Sequence, residues 1–292
     1  MIRQTLIAAT LALSFAGAEA AQPLQLKVFN AEAGSFNVNS VLVTGEKEAL
    51  VIDAGFTRAD AYRIAANVLD SGKQLKAIYV SQADPDYYFG VEVLKGLFPQ
   101  AEVLASPAVL EKIKAKLPAK LAFWGPKMGA NAPQQPVLPQ AYAGKQLTVD
   151  GEVLEIRAQE GALAHRPYVW IPSLRAIVGN IGVFGNLHVW TADTRMSAER
   201  QAWLAQLDEM ASLQPTVDER TADVWSSSTL NNFQTLDIRH YVVLFSSPAS
   251  RRELGGDCVP MHLSAPALAE LSDLGIELDP RHWRQRKVLA ER

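Results

Sequence analysis

The sequence predicts an α/β protein in which two β-sheets face each other between outer helices, an αββα sandwich. Three observations carry this. Apolar, strand-like runs such as Leu75-Lys-Ala-Ile-Tyr-Val80 are followed by segments whose apolar residues suit a helix, such as Val91, Val93, Leu94 and Leu97. The first half opens on a hairpin before its first helix, and the second half returns to strand pairs before a last helix. A chain of 292 residues, 48% of them hydrophobic, is long enough to bury a large core.

In chain order, residues 1–20 differ in kind from the rest. Arg3, the apolar stretch Leu6 to Phe15 and Ala18-Glu-Ala20 before Ala21 read as a secretory signal peptide, too short to remain as a membrane span. An exported protein, periplasmic or secreted, is therefore expected, with a main domain over 21–245 and a C-terminal extension over 246–292. Leu24 to Phe29 alternates, and Val38 to Val43 followed by Ala49 to Asp53 reads as a hairpin turned at Thr44-Gly-Glu-Lys. Thr57 is placed to cap a helix that Gly72 ends.

Further on, Phe98 to Ala105 supplies a turn and a strand, and Ser106-Pro107 starts a helix expected to run through Leu117. Trp124 to Pro139, with four prolines and two glycines, reads as a long ordered loop whose Phe123, Trp124 and Met128 pin it to the core or wall an apolar pocket. A hairpin turns at Asp150-Gly151, a strand pair covers Tyr168 to Ile171 and Ala176 to Val178, and Ser197 is expected to cap a helix carrying Trp203, Leu207 and Met210 on one stripe.

A formal net charge of -3 gives no electrostatic reason to expect nucleic acid or an anionic membrane as partner. The lone Cys258 has no intramolecular disulfide partner. The last twelve residues carry Arg281, Arg284, Arg286, Lys287 and Arg292, a solvated basic tail.

The polar stretch Ser81-Gln-Ala-Asp-Pro-Asp-Tyr-Tyr-Phe-Gly90 lies where a strand gives way to a helix, the place where catalytic and binding groups collect in layered α/β proteins. It resembles the metal-binding signature of the metallo-β-lactamase fold superfamily, Thr/Ser-His-x-His-x-Asp-His-x-x-Gly. Ser81, Asp86 and Gly90 match, and the family's histidines fall on Gln82, Asp84 and Tyr87. Asp53-Ala-Gly55 stands where the superfamily has an Asp-x-Gly turn, and the resemblance covers roughly residues 24–222.

What the resemblance implies is an αββα domain holding a pair of metal ions, usually zinc, on histidines and aspartates, with a bridging hydroxide as nucleophile. Neutral imidazoles suit zinc, and an open coordination position lowers the pKa of bound water. By the same resemblance, the later ligand positions fall on Ala162, on Asn180 in place of a bridging aspartate, and in the region of Ala222. The histidines are 165, 188, 240, 262 and 282, so none stands at an expected ligand position; His165 and His188 are the nearby candidates.

Two functional readings follow. In the first, the chain is a catalytically inactive relative that binds a small molecule or a periplasmic protein partner and carries no cofactor. In the second, it is a hydrolase of ester, thioester or lactone bonds working through one hard divalent cation on Asp84 and Asp86, since oxygen ligands suit such ions better than zinc. Asp86 is then the candidate catalytic residue; alternatively it caps the following helix. The donor set favours the first reading.

Overall fold

The computed structural model describes residues 23–179, 182–183 and 193–215. The expectations placed on 1–20, Asn180, His188, Ala222, Cys258 and the extension 246–292 lie outside these residues. Ten strands and five α-helices are described: β1 Gln25–Asn30, β2 Asn39–Thr44, β3 Glu48–Ile52, α1 Arg58–Ser71, β4 Gln74–Val80, α2 Pro85–Tyr88, α3 Val91–Leu97, β5 Glu102–Ala105, α4 Pro107–Met128, β6 Gln140–Ala141, β7 Gln146–Val149, β8 Glu152–Arg157, β9 Tyr168–Ile171, β10 Ala176–Val178 and α5 Ser197–Ser212.

The first sheet runs in the order β1-β2-β3-β4-β5-β6, and the second in the order β10-β9-β8-β7. β1, β2 and β3 pair antiparallel, while β3 to β6 pair parallel, each parallel step crossing over through helix or loop. The second sheet is antiparallel throughout.

Side-chain alternation sorts the core into three layers. Val41, Val43, Leu50, Ile52, Ala77 and Tyr79 face inward against Leu154, Ile156, Val169, Ile171 and Val178 of the second sheet. Their neighbours Leu42, Val51, Ile78 and Val80 face the other way, under Ile64, Val68, Leu94, Val109 and Ile113 of the helices. On the outside of the second sheet, Tyr168, Trp170 and Ile177 meet Trp203, Leu207 and Met210 of α5. The period of two along each strand thus feeds both faces of both sheets, and the result is the helix-sheet-sheet-helix order expected from the sequence. Each fully buried Leu or Ile contributes about 1.5–3 kcal/mol relative to exposure.

The local signals mostly act as expected. Thr57 closes a capping box with Asp60, and Gly72 ends α1 in the left-handed region at φ 65°. Ser106 accepts from the Val109 N–H at the start of α4. Three local expectations are corrected. Helix α4 does not stop at Leu117 but runs through Pro118 and Pro126 to Met128, so the long loop begins later. Leu117, Leu121, Trp124 and Met128, spaced along one helical face, pack on the core, and that contact outweighs the hydrogen bonds the prolines remove. Met196, not Ser197, occupies the N-cap of α5, where the Glu199 carboxylate accepts from the Met196 N–H at 3.0 Å. Asp86 sits in the first turn of α2, whose N-cap is Asp84.

Candidate functional site

The site is framed by three backbone turns locked onto one another. β3 gives way to Asp53, a non-glycine residue at φ 64°, and Gly55 follows at φ 80°. The Ala54 N–H donates to the Tyr87 carbonyl at 2.8 Å and the Gly90 N–H to the Gly55 carbonyl at 3.0 Å. A Cβ on Gly90 would stand 2.0 Å from the Ala54 carbonyl oxygen, so only glycine permits this approach. Gly179, at φ 73°, closes the third side: a Cβ there would lie 3.0 Å from the Ser81 Cβ and 3.1 Å from Ile52.

Asp53 is buried and accepts from the Ser81 N–H at 2.8 Å and the Ser81 hydroxyl at 2.7 Å. Its own N–H donates to the Tyr79 carbonyl at 2.9 Å, and the Ser40 hydroxyl donates to its carbonyl at 2.6 Å. Burial pushes the Asp53 carboxyl up to about 7, against the lowering effect of the Ser81 bonds and with a further push from Asp86.

Above this frame lies a cluster of charged side chains. The buried Asp84 carboxylate has the Lys120 ammonium 3.2 Å from Oδ1 and the Lys116 ammonium at 3.7 Å. Lys116 stands equally 3.7 Å from Asp193, and Asp193 lies 4.0 Å from the guanidinium of the buried Arg166. Lys112 meets His165 Nε2 at 2.9 Å. Lys112, Lys116 and Lys120 recur every four residues and so share one face of α4.

The electrostatics follow from this crowding. Burial pushes the Asp86 carboxyl up to about 7, with a second push from Asp84, while Lys120 opposes it. Burial lowers His165 to about 4, and Lys112, Arg166 and Lys116 add to the shift, so the imidazole is neutral near pH 7 and accepts from Lys112. Lys112 and Arg166 are both lowered, chiefly by burial. Burial holds the Tyr87 phenol well above its ordinary range, so it stays protonated.

The structure brings Gln82, Asp84, Asp86, Tyr87 and Asp53 together around the β4–α2 junction and adds His165 from the turn before β9. Ala162, exposed in that same turn, contributes no ligand atom. Sequence reasoning missed Lys112, Lys116, Lys120, Arg166 and Asp193. The lysine period was visible as a four-residue repeat, but only the tertiary packing of α4 brings Lys116 and Lys120 to Asp84.

The residues present do not fit the dinuclear zinc centre of the fold. The Gln82 amide oxygen is turned back onto the Ala83 N–H at 2.5 Å. Asp84 faces ammonium groups, and the Tyr87 phenol is protonated. A cation already attached to the chain occupies the carboxylate that a metal ion would need. Among the described residues, no three His, Cys, Asp or Glu side chains converge as a metal-holding group.

Comparison with known proteins agrees with this geometry at the level of the fold. Residues 33–158 match the Metallo-beta-lactamase superfamily. BLEG-1, a B3 metallo-beta-lactamase, is similar at 13% identity and a TM-score of 0.50 over 71% of this chain and 97% of its own. A metallo-beta-lactamase from Pontibacter korlensis is similar at 14% identity and a TM-score of 0.49 over 74% and 99%. A metallo-beta-lactamase family protein from Thermus thermophilus shows 19% identity and a TM-score of 0.46 over 65% and 70%. Comparison with functionally curated sequences found no match. The fold is that of the metallo-β-lactamase superfamily. Among the described residues, no helix is long and apolar enough to cross a membrane.

Proposed function

We propose that this chain is an exported, catalytically silent relative of the metallo-β-lactamase-fold hydrolases that uses its remaining polar basin to bind a small molecule or a periplasmic protein partner. The observation that supports it is the pairing of Asp84 with Lys116 and Lys120. Zinc hydrolases of this fold depend on imidazole and carboxylate donors facing metal; here Asp84, standing at one of the histidine positions, faces amines. Removal of residues 1–20 as a secretory signal underlies the proposed export.

The test is metal analysis of the purified mature protein combined with a panel of ester, thioester and lactone substrates. The silent reading expects no stoichiometric metal and no turnover above background. A stoichiometric cation together with turnover, both abolished by Asp86→Ala, overturns it in favour of a hydrolase using a hard divalent ion on Asp84 and Asp86.

A further inference from the structure

We propose that the ammonium groups of Lys116 and Lys120 are tethered cations that take the place of a metal ion on Asp84, so that the fold's metal site has become an internal ion-pair site. The proposal deepens the silent reading above and rests on it.

Asp84 stands at a signature position that the superfamily fills with a histidine ligand. It is only 9% exposed, and its Oδ1 accepts no hydrogen bond from the described residues. A buried carboxylate in that state needs positive charge close by. Lys120 supplies it at 3.2 Å and Lys116 at 3.7 Å, and Lys116 reaches Asp193 at the same 3.7 Å. Lys116 thus lies between Asp84 and Asp193, and Lys120 sits on Asp84 beside it.

Several charges act on the same region. Lys112 and Arg166 add positive charge, Glu199 adds negative charge, and His165 is neutral at pH 7. None of these replaces the direct contacts on Asp84, which among the described residues come only from Lys116 and Lys120. A lysine is suited to the substitution because its ammonium is a compact point charge on a flexible stem, and α4 delivers two such stems at i and i+4. A divalent ion held by oxygens would need the same carboxylates with the amines gone.

The experiment compares the mature wild-type protein, Lys116→Met/Lys120→Met, and that double variant with Asp84→Asn added. Mn²⁺ is the probe, followed by electron paramagnetic resonance and by the thermal midpoint with Mn²⁺ and with chelator. Wild type is expected to bind no stoichiometric Mn²⁺ and to ignore chelator. The double variant is expected to be destabilised, to bind Mn²⁺ at least tenfold more tightly than wild type, and to regain stability with it. The triple variant is expected to regain stability without Mn²⁺ and to lose the binding.

A folded double variant with no gain in Mn²⁺ binding overturns the tethered-cation assignment and leaves the silent reading standing. Should the double variant not fold, failure of Asp84→Asn to restore folding overturns it equally. Stoichiometric Mn²⁺ on the wild type with both lysines in place sinks this assignment; the substrate panel then decides separately whether the silent reading falls with it.

Discussion

Ser81 donates to both carboxylate oxygens of Asp53, from its N–H at 2.8 Å and from its hydroxyl at 2.7 Å, and so ties the end of β4 to the end of β3. The two strands are parallel neighbours, and this pair joins their ends where the Ser81–Gly90 stretch leaves the sheet. Asp53 thereby acts through Ser81 as a positioning residue.

The same pair makes stability depend on pH. Burial raises the folded-state carboxyl of Asp53 to about 7, above the ordinary value of an unfolded aspartate. Between about pH 4 and 7 the folded state therefore holds a proton that the unfolded state has released, so this group's contribution falls as pH rises through that window. Asp86 acts in the same direction, and His165, held near 4, acts in the opposite one as the pH rises toward its unfolded value. Asp53→Asn removes only the first contribution while retaining an acceptor for the Ser81 N–H. Urea unfolding across pH should show the Asp53→Asn variant gaining on wild type by about 1 kcal/mol per pH unit from pH 4 toward 7, then levelling. A difference independent of pH refutes the assignment.

Gly90→Ala tests the lock between the Asp53–Gly55 turn and the start of α3. The added methyl would meet the Ala54 carbonyl at 2.0 Å and the Ala61 Cβ at 2.8 Å, and neither is the end of a flexible side chain. Chemical denaturation should register a loss of about 3 kcal/mol or more. Gly96→Ala, where nothing lies within 4 Å, serves as the control and should stay within about 1 kcal/mol of wild type.

Much of this frame was legible in the sequence because its signals are local. Thr57, Gly72, the Asp150-Gly151 turn and the continuous apolar runs of β2, β3 and β9 each specify their element within a few residues. The match at Ser81, Asp86 and Gly90 identified the fold because Gly90 is demanded by a backbone approach, a constraint that survives when the donor atoms change. The charged cluster was not legible for the opposite reason. Lys116 and Lys120 reach Asp84 across more than thirty residues, and Lys120 does so from beyond Pro118, where local sequence signals would end the helix.

His165 offers a direct check on the electrostatics of that cluster. With Lys112 at 2.9 Å from Nε2, the ring proton belongs on Nδ1, and the cations around it help burial hold its pKa near 4. Nitrogen-detected NMR of the imidazole should show a neutral Nδ1–H tautomer from pH 5.5 to 8. Lys112→Met should raise the midpoint, because it removes a neighbouring positive charge and a donor to the neutral ring. A ring that titrates near 6.5 in the wild type would contradict the arrangement.

The length of α4 makes a last prediction. Trp124 lies beyond Pro118, where the sequence alone suggests loop, and its ring meets Phe56 edge-on at 5.3 Å and Phe36 at 5.5 Å between centroids. Phe56 stacks in turn on Phe89 at 6.0 Å, so the distal half of α4 is anchored to the turn after β3 and to the residue preceding Gly90. If this aromatic chain holds the helix together across the proline, Trp124→Ala should cost about 2–4 kcal/mol and release the turns beyond Pro118. Phe123, adjacent but 55% exposed, should tolerate alanine at about 1 kcal/mol or less. Hydrogen exchange gives the sharper readout: in the Trp124 variant the amides from Leu121 to Met128 should lose protection while those of Val109 to Ile113 keep it. Equal loss along the whole helix would show that the two halves of α4 are held as one unit and that the aromatic contacts do not carry the distal half.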